Sequence, residues 1–296
     1  MDRIKGQVHC CDAYKLGLTG KGVGVAVLDT GIFPHKDFDS RILGFADFVH
    51  NKSGPYDDCG HGSHICGIIG GSGISSDGRY QGMAPGCHLV ALKVLDQKGN
   101  GYVKDVLAGI SWLLERKDEL GIRIVNISVG TGGRRKLSEN SVLVRGVNQA
   151  WDAGLVVVVA AGNNGPRRMS VTTPGISRKV ITVGCSDDDR EVLVGNSIMI
   201  DYSGRGPTTE CVCKPDVVAP GCRIVSCAAH PDRYAIKSGT SMSTPIVSGA
   251  IALLLEKYPA MTNLDVKLKL MESCCDIGLP KNQQGWGLLD VERLLI

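Results

Sequence analysis

The sequence is poor in aromatic residues and carries no large excess of charge of either sign. Aromatic side chains make up 5% of the 296 residues, and the formal net charge is +3. A nearly balanced charge without a dense basic run argues against a nucleic-acid-binding surface. No apolar run is long enough to cross a bilayer, so we expect no membrane partner.

The N-terminus also lacks the apolar stretch of a secretory signal peptide. The 12 cysteines include adjacent residues that are poorly placed to bridge each other, Cys10-Cys11 and Cys274-Cys275. We therefore expect reduced thiols and a cytoplasmic protein, or a secreted one if the sequence is a mature fragment. Cys211 and Cys213 could instead begin a zinc site, but no second ligand pair follows at a usable spacing.

Apolar runs alternate with helical periodicity along the chain. Strand patterns occur at 23–28, 88–95, 122–130, 155–161 and 180–184. The runs at 23–28 and 155–161 are apolar throughout, which is typical of strands buried on both faces of a parallel sheet. Helical patterns lie between them, among them 60–70, 102–117 and 138–152. This alternation predicts βαβ units with helices on both faces of the sheet. Without an internal repeat or a linker, a single domain over residues 1–296 is the simplest organisation.

A turn of small hydroxyl residues precedes the most apolar helical pattern. Residues 237–245 read KSGTSMSTP, and the ten residues after them are apolar almost all round, which predicts a helix buried in a large core. Ser241 would lie at the N-terminus of this helix, where free N–H groups and the dipole favour a developing negative charge. That place suits a nucleophile, although Thr240 or Ser241 could simply cap the helix.

Three more residues stand where site residues are expected. Asp29 ends the first buried strand in an Asp-Thr-Gly turn, at the edge where open α/β sheets place their sites, or else it only bonds its own turn. His61 begins a helix of small residues, and its partner His64 lacks the glutamate and the spacing of a zinc-protease helix. Asn163 follows a buried strand in a turn, where it could donate its amide or merely tolerate an unusual φ.

Together these residues meet the needs of acyl transfer by serine, which are a base, an acid that orients the base, and donors for the oxyanion. Their order is Asp, His, Ser. Four motifs in this order resemble the signatures of the subtilisin-like serine proteases, in particular small bacterial intracellular members: DTG at 29–31, HGSH at 61–64, AAGN at 160–163 and GTSMSTP at 239–245. The resemblance spans about residues 20–290. It implies a three-layer α/β fold with about seven mostly parallel strands, and a serine endopeptidase that acts on polypeptides through an acyl-enzyme.

The resemblance implies a role for each matching residue. Ser241 corresponds to the nucleophile, His61 to the general base, Asp29 to the orienting acid and Asn163 to the oxyanion donor. The segments that would pair with an extended substrate are Ser128, Val129 and Gly130 on one side and Gly99, Asn100 and Gly101 on the other. One wall of the pocket for the residue before the cleaved bond would be Ala160, Ala161 and Gly162.

Several departures refine this expectation. Thr172 stands where the family has a glycine at the base of the pocket, which predicts a shallower pocket for medium apolar residues. The resemblance also predicts a cis bond before Pro174. Cys66, beside the motif histidine, could sensitise the enzyme to oxidation or be an inert buried thiol.

No cofactor is required for this chemistry, and structural calcium is doubtful. The segment 70–82, where the family often binds calcium, is short and holds Asp77 as its single acid. Asp216, with carbonyls near Thr173 and Val180, is a weak candidate for a cation ligand. Asp37 and the acids at 57–58 are expected to be solvated.

Two alternatives to the protease belong to other functional classes. A catalytically silent scaffold that binds peptides would need no competent triad, whereas all four catalytic positions here carry competent residue types. An esterase of the α/β-hydrolase type needs a Gly-x-Ser-x-Gly elbow and the order Ser, acid, His, and the sequence has neither at Ser241. The pattern leaves the oligomeric state open.

Overall fold

A computed structural model describes residues 1–130 and 139–296 of the chain. Its centre is a sheet of seven parallel strands. Across the sheet the strands are β2 (Ile42–Asp47), β3 (His88–Lys93), β1 (Gly24–Asp29), β4 (Ile122–Ile127), β5 (Val156–Ala160), β6 (Ile181–Cys185) and β9 (Val217–Ala219). The predicted α/β fold with seven parallel strands is confirmed.

Helices cover both faces of this sheet. α3 and α6 pack against each other and against the central strands, whereas α4 packs on α5, and both of these contact the sheet as well. The helices are α1 (Asp2–Gln7), α2 (Cys11–Lys15), α3 (His61–Gly70), α4 (Val103–Arg116), α5 (Val142–Asp152), α6 (Thr240–Lys257), α7 (Asn263–Ser273), α8 (Lys281–Gln284) and α9 (Val291–Leu295).

The core forms where the apolar runs of the sequence meet. Strands β1 and β5 are buried at every residue, because a parallel sheet has helices on both sides. Helix α6 is buried from Met242 to Leu255, which agrees with its lack of a polar face. The sheet therefore offers a rigid base, and the loops at its carboxyl edge are free to carry site residues.

Six strands lie where no strand is predicted, and one helix is shorter than expected. Two of them, β2 and β9, are the edge strands of the sheet, and β2 falls in the predicted loop. The other four form two antiparallel hairpins: β7 (Val192–Val194) with β8 (Ser197–Met199), and β10 (Ile224–Cys227) with β11 (Tyr234–Lys237). The predicted helix 138–152 begins at Val142, where the Ser141 side chain caps it. Ser138 itself lies outside the described residues.

Among the helices in the described ranges, none combines the length and the apolar character that crossing a bilayer requires.

Candidate active site

The carboxyl edge of the sheet brings an aspartate and a histidine into direct contact. Asp29 is the last residue of β1 and is fully buried, while His61 is the first residue of α3. The Nδ1 atom of His61 lies 2.7 Å from Oδ1 of Asp29. The backbone N–H of Thr30 donates to the same oxygen at 2.8 Å. This bond fixes the carboxylate, and the carboxylate fixes the imidazole with Nε2 as its free nitrogen.

The surroundings of His61 favour its protonated form. Burial opposes the charged imidazolium, but the charge and hydrogen bond of Asp29 outweigh it, so the pKa of His61 is raised above its ordinary value. The ammonium of Lys237 acts in the opposite direction and lowers the pKa of His61. Enzymes that transfer protons near neutral pH often use a histidine whose pKa a neighbouring carboxylate has shifted.

Ser241 is the second residue of α6 and lies in the same cleft as His61 and Asn163. The cleft has a volume of about 630 Å³. The Oγ atom of Ser241 donates a hydrogen bond to the backbone carbonyl of Ser128 at 2.8 Å. Within the described ranges, the serine hydroxyl thus bonds a backbone carbonyl rather than the imidazole. The structure brings the two groups into one cleft without joining them.

Asn163 is oriented by the first residue of α6. Its Oδ1 atom accepts hydrogen bonds from the backbone N–H and from the hydroxyl of Thr240, each at 3.0 Å. Because a backbone N–H can only donate, the amide oxygen must face Thr240 and the NH₂ group must face away from it. Gly239 has a φ of 136°, and a Cβ atom there would lie 3.3 Å from Asn163 Nδ2. The glycine therefore gives the amide room beside Ser241.

Asp57 holds the start of the histidine helix, a role that the sequence did not reveal. Its Oδ1 atom accepts from the Thr30 hydroxyl and from the N–H groups of Cys59 and Gly60. Its Oδ2 atom accepts from the N–H and the hydroxyl of Ser63. Asp57 is buried, so the prediction of a solvated carboxylate is wrong. A possible signal was its place just before Gly60 and the helix, as acids often satisfy free N–H groups there.

Asp37 is likewise buried rather than solvated, contrary to prediction. Its carboxylate accepts from the N–H groups of Gly73 and Ser75 and from the Tyr234 hydroxyl. The remaining acid of this group, Asp58, is partly exposed and binds the fully buried ammonium of Lys93 at 2.6 Å. Lys93 also donates to the carbonyl of Thr30, so it ties the loop after β1 to the loop before α3.

The predicted substrate segments on β4 and β5 lie side by side, with Thr172 between them. Ideal Cβ atoms on Gly130 and Gly162 would lie 2.4 and 2.5 Å from the Thr172 hydroxyl oxygen. The Thr172 N–H donates to the carbonyl of Ala161 at 2.9 Å. Thr172 thus fills space at the base of the predicted pocket. Ala160 is buried beside it at the end of β5, and Val129 is partly buried after Ser128.

The other predicted segment, residues 99–101, is an exposed turn that follows β3 at the same edge of the sheet. The side chain of Asp96 shapes this turn by accepting from the N–H groups of Lys98 and Asn100. Gly99 has a φ of 75°, in the left-handed region that favours glycine. None of these three residues lines the cleft of Ser241 and His61.

Two lysines surround Asp216, the weak candidate for a cation ligand. The ammonium of Lys214 lies 2.6 Å from Oδ2 of Asp216, and the ammonium of Lys267 lies 3.4 Å from Oδ1. Lys267 also donates to the carbonyls of residues 178, 179 and 180 at 3.0, 3.0 and 3.1 Å. Protein ammonium groups therefore occupy the position for which a bound cation was considered. This arrangement disfavours a metal at Asp216.

The cysteines and the predicted cis proline can be placed as well. All 12 cysteines are free, and those at 211 and 213 are exposed outside every cluster that could hold a metal among the described residues. Cys66 is fully buried, and burial raises the pKa of its thiol. Of the two alternatives for Cys66, these properties favour an inert buried thiol over an oxidation-sensitive one. The peptide bond between Thr173 and Pro174 is cis, as predicted.

Comparison with known families identifies the family of this chain. The profile of the subtilase family matches residues 20–287 of the chain. The chain belongs to the subtilase family. The match includes Asp29, His61, Asn163 and Ser241, and it confirms the resemblance that the four motifs indicated.

Curated members of the family are named as proteases. The chain is 43% identical over 268 residues to the serine protease AprX of Bacillus subtilis, a match that covers 84% of this chain and 60% of AprX. It is 34% identical over 287 residues to subtilisin Savinase of Lederbergia lenta, covering 97% and 95% of the two chains. The chain thus spans about 60% of the length of AprX.

A solved structure confirms the fold. A cold-adapted subtilisin-like serine proteinase superposes with a TM-score of 0.75 at 29% identity, covering 93% of this chain and 90% of that one. The three-layer subtilisin-like arrangement is therefore that of the family.

Proposed function

We propose that this chain is a serine endopeptidase in which Ser241 attacks the peptide carbonyl, His61 is the general base and Asp29 orients it. The observation that carries the proposal is the contact of 2.7 Å between His61 and buried Asp29, in the cleft that also holds Ser241 and Asn163. The family match and the names of the relatives support the class of reaction.

Acylation begins with a change of hydrogen-bond partner at Ser241. Its hydroxyl leaves the Ser128 carbonyl by rotation about the Cα–Cβ bond and donates to Nε2 of neutral His61. A substrate favours this step if its own N–H donates to the Ser128 carbonyl, because that carbonyl is then occupied. Binding of an extended peptide along residues 128–130 would thus release the nucleophile.

The attack transfers the hydroxyl proton to His61 and places a negative charge on the former carbonyl oxygen. The free NH₂ group of Asn163 and the backbone N–H of Ser241 are the donors proposed for this oxyanion. His61, now an imidazolium beside Asp29, gives its proton to the departing amine. Water then repeats the sequence on the acyl-enzyme, and Ser241 is regenerated.

The same residues support a proposal for the substrate class and for the cofactor requirement. Polypeptides are the proposed substrates, and a medium apolar residue is the proposed preference before the cleaved bond, since Thr172 fills the base of the pocket between Gly130 and Gly162. Every proton in this scheme moves between protein groups, substrate and water, so the chemistry needs no metal.

One observation favours a second candidate, a silent scaffold that binds peptides. The Ser241 hydroxyl bonds Ser128 and not His61, and a serine locked there would bind substrate without attacking it. The two candidates differ in covalent chemistry, because only an activated serine reacts with a fluorophosphonate.

The test compares two serine substitutions that are two residues apart. Ser241→Ala should abolish both hydrolysis of denatured casein and labelling by a fluorophosphonate, with a loss of about six orders of magnitude in kcat. Ser243→Ala removes a buried hydroxyl that has no hydrogen-bond partner in the described ranges, and it should retain both. Peptide binding by the wild type without turnover or labelling would establish the scaffold instead.

A further inference from the structure

The cleft of Ser241 continues past the reacting groups to two hairpins. Part of its lining comes from the β7–β8 hairpin, with residues 191–195, and another part from the end of β11, with residues 236–238. Arg223, just before β10, lies beside the end of β11, and its backbone N–H donates a hydrogen bond to the Ser238 hydroxyl oxygen at 3.0 Å. This surface is continuous with His61 and Ser241.

The chemistry assigns this part of the cleft to the leaving-group side of the substrate. The departing amine must lie beside His61, because His61 gives it a proton. His61 lines the cleft, whereas the residues expected to hold the acyl side, 128–130, 160–162 and 172, do not. A peptide bound across Ser241 therefore enters the region between the hairpins with the residues that follow the cleaved bond.

Two cations without a counter-ion face this region. Within residues 1–130 and 139–296, neither Arg223 nor Lys237 forms an ion pair, and the third charged residue of the cleft, Glu191, forms none either. The fixed charges of the side chains beyond His61 thus sum to one positive charge. A guanidinium that lacks a partner offers a planar fork of donors that matches a carboxylate.

The hairpins also expose apolar side chains towards the same region. Leu193 on β7 and Ile236 on β11 are each 61% exposed, and both line the cleft. Large aliphatic side chains exposed in a cleft suit the apolar parts of a bound peptide better than a free ion.

We propose that Arg223 and Lys237 make the leaving-group side of this cleft selective for an acidic residue among the first two positions after the cleaved bond. This inference rests on the proposed endopeptidase function and adds a determinant of specificity to it. The carboxylate of the substrate pairs with the free guanidinium and ammonium, while Leu193 and Ile236 contact the rest of the segment.

The test measures a ratio between matched substrates. Quenched fluorescent peptides keep one acyl side and carry Glu, Gln or Lys at the first or second position after the bond. At the pH of maximal activity and low ionic strength, we expect kcat/KM for Glu to exceed that for Gln by about threefold and that for Lys by about tenfold at one of these positions. At about 1 M salt the ratio should fall towards one, because the Debye length shortens to about 3 Å.

Two double variants distinguish the effect of Arg223 and Lys237 from the effect of the net charge of the protein. Arg223→Gln with Lys237→Gln should bring the Glu-to-Gln ratio close to one. Lys21→Gln with Arg145→Gln removes the same charge from exposed residues outside the cleft and should keep the wild-type ratio. Both paired variants change the net charge equally, so a difference between them locates the effect in the cleft.

Aminolysis of the acyl-enzyme isolates the leaving-group side from the acyl side. With an ester as acyl donor, Glu-Leu-amide should capture the acyl group in preference to Gln-Leu-amide, and the cleft variant should lose this preference. Equal rates for Glu, Gln and Lys, or a preference that survives Arg223→Gln with Lys237→Gln, would overturn the inference and leave the endopeptidase intact. Failure of the wild type to cleave any peptide would overturn both.

Discussion

The imidazole of His61 lies between opposing electrostatic influences. Burial and the Lys237 ammonium disfavour its positive charge, and the Asp29 carboxylate favours it strongly enough that the pKa of His61 is raised. A general base must be neutral to accept a proton. The proposed base is therefore available only above a pH that is higher than the ordinary histidine pKa of about 6.5. We therefore expect hydrolysis to be lost as the pH falls through the raised pKa of His61, as a pH profile of kcat would show.

A second residue-scale prediction concerns Asp57, whose carboxylate accepts from five groups around the start of α3. Asp57→Asn replaces one acceptor oxygen by a donor that faces N–H and O–H groups. We expect the free energy of unfolding to fall by about 2–4 kcal/mol at pH 7, measured in urea. The hydrolytic rate should fall with it, because α3 carries His61.

The stabilising contribution of Asp57 should depend on pH. Burial tends to raise the pKa of Asp57, but the hydrogen bonds from Ser63, Gly60 and Cys59 outweigh it and hold the pKa below 3.8. Its contribution is thus complete above that value and is lost as the pH falls through the lowered pKa. Asp77→Asn, at an exposed site, should change stability by less than about 0.5 kcal/mol. Equal effects of the two substitutions would contradict this role.

Residue roles differed in how far the sequence could predict them. Four candidate site residues stand in short local motifs, and the neighbouring residues made them predictable: Asp29, His61, Asn163 and Ser241. The role of Asp57 depends on contacts with Thr30 and with a helix that begins four residues later, so its place just before that helix was the one local signal of it. The contact of Ser241 with Ser128, 113 residues away, was equally hidden.

At the scale of elements, α7 fastens the segment before β6 through a buried lysine. Lys267 on α7 donates to three consecutive carbonyls, at 178–180, and lies 3.4 Å from the Asp216 carboxylate. Lys214 shares that carboxylate, and burial lowers the pKa of Lys214 to about 8 although Asp216 opposes the shift. The ammonium of Lys267 thus takes the place of a cation bound by carbonyl and carboxylate oxygens.

We expect Lys267→Met to make the stability of this region respond to added cations more strongly than in the wild type. Loss of the ammonium leaves carbonyls without a donor, and we expect the free energy of unfolding to fall by about 2–4 kcal/mol. Added potassium or calcium should restore part of the loss by binding the same oxygens. Thermal unfolding with and without these salts measures both effects.

Lys269→Met, two residues along the same helix, is the control for the loss of one charge from α7. It should cost little, and salts should affect it as they affect the wild type. If Lys267→Met is as stable as this control, or gains no more from cations than the wild type does, the ammonium has no such role.

The buried strands could be predicted from the sequence, whereas the edge strand and the short hairpin strands could not. Strands β1, β3, β4, β5 and β6 are mainly apolar, because both faces of a parallel sheet are covered. Strand β2 lies at the edge, has an irregular register near Gly44 and is mostly half-buried, so its pattern is weak. The strands of the two hairpins, β7–β8 and β10–β11, have three or four residues each, which is too short for an alternation of apolar and polar residues to be recognised.

At the scale of the whole molecule, the parallel sheet explains why distant residues meet. Strand β1 ends at Asp29, α3 begins at His61 and α6 begins beside Ser241, all at the carboxyl edge. Residues 20–287 match the subtilase family, so the overall arrangement is that of the family. We propose that His61, held by Asp29, activates Ser241 although the resting hydroxyl bonds Ser128.

The rate of fluorophosphonate labelling as a function of pH, with the labelled residue identified by mass spectrometry, tests this claim most directly. We predict a label on Ser241 alone, at a rate that rises with pH through the raised pKa of His61 and that is lost in His61→Ala. A label on another residue, or a rate that is independent of pH and unchanged in His61→Ala, would contradict the account.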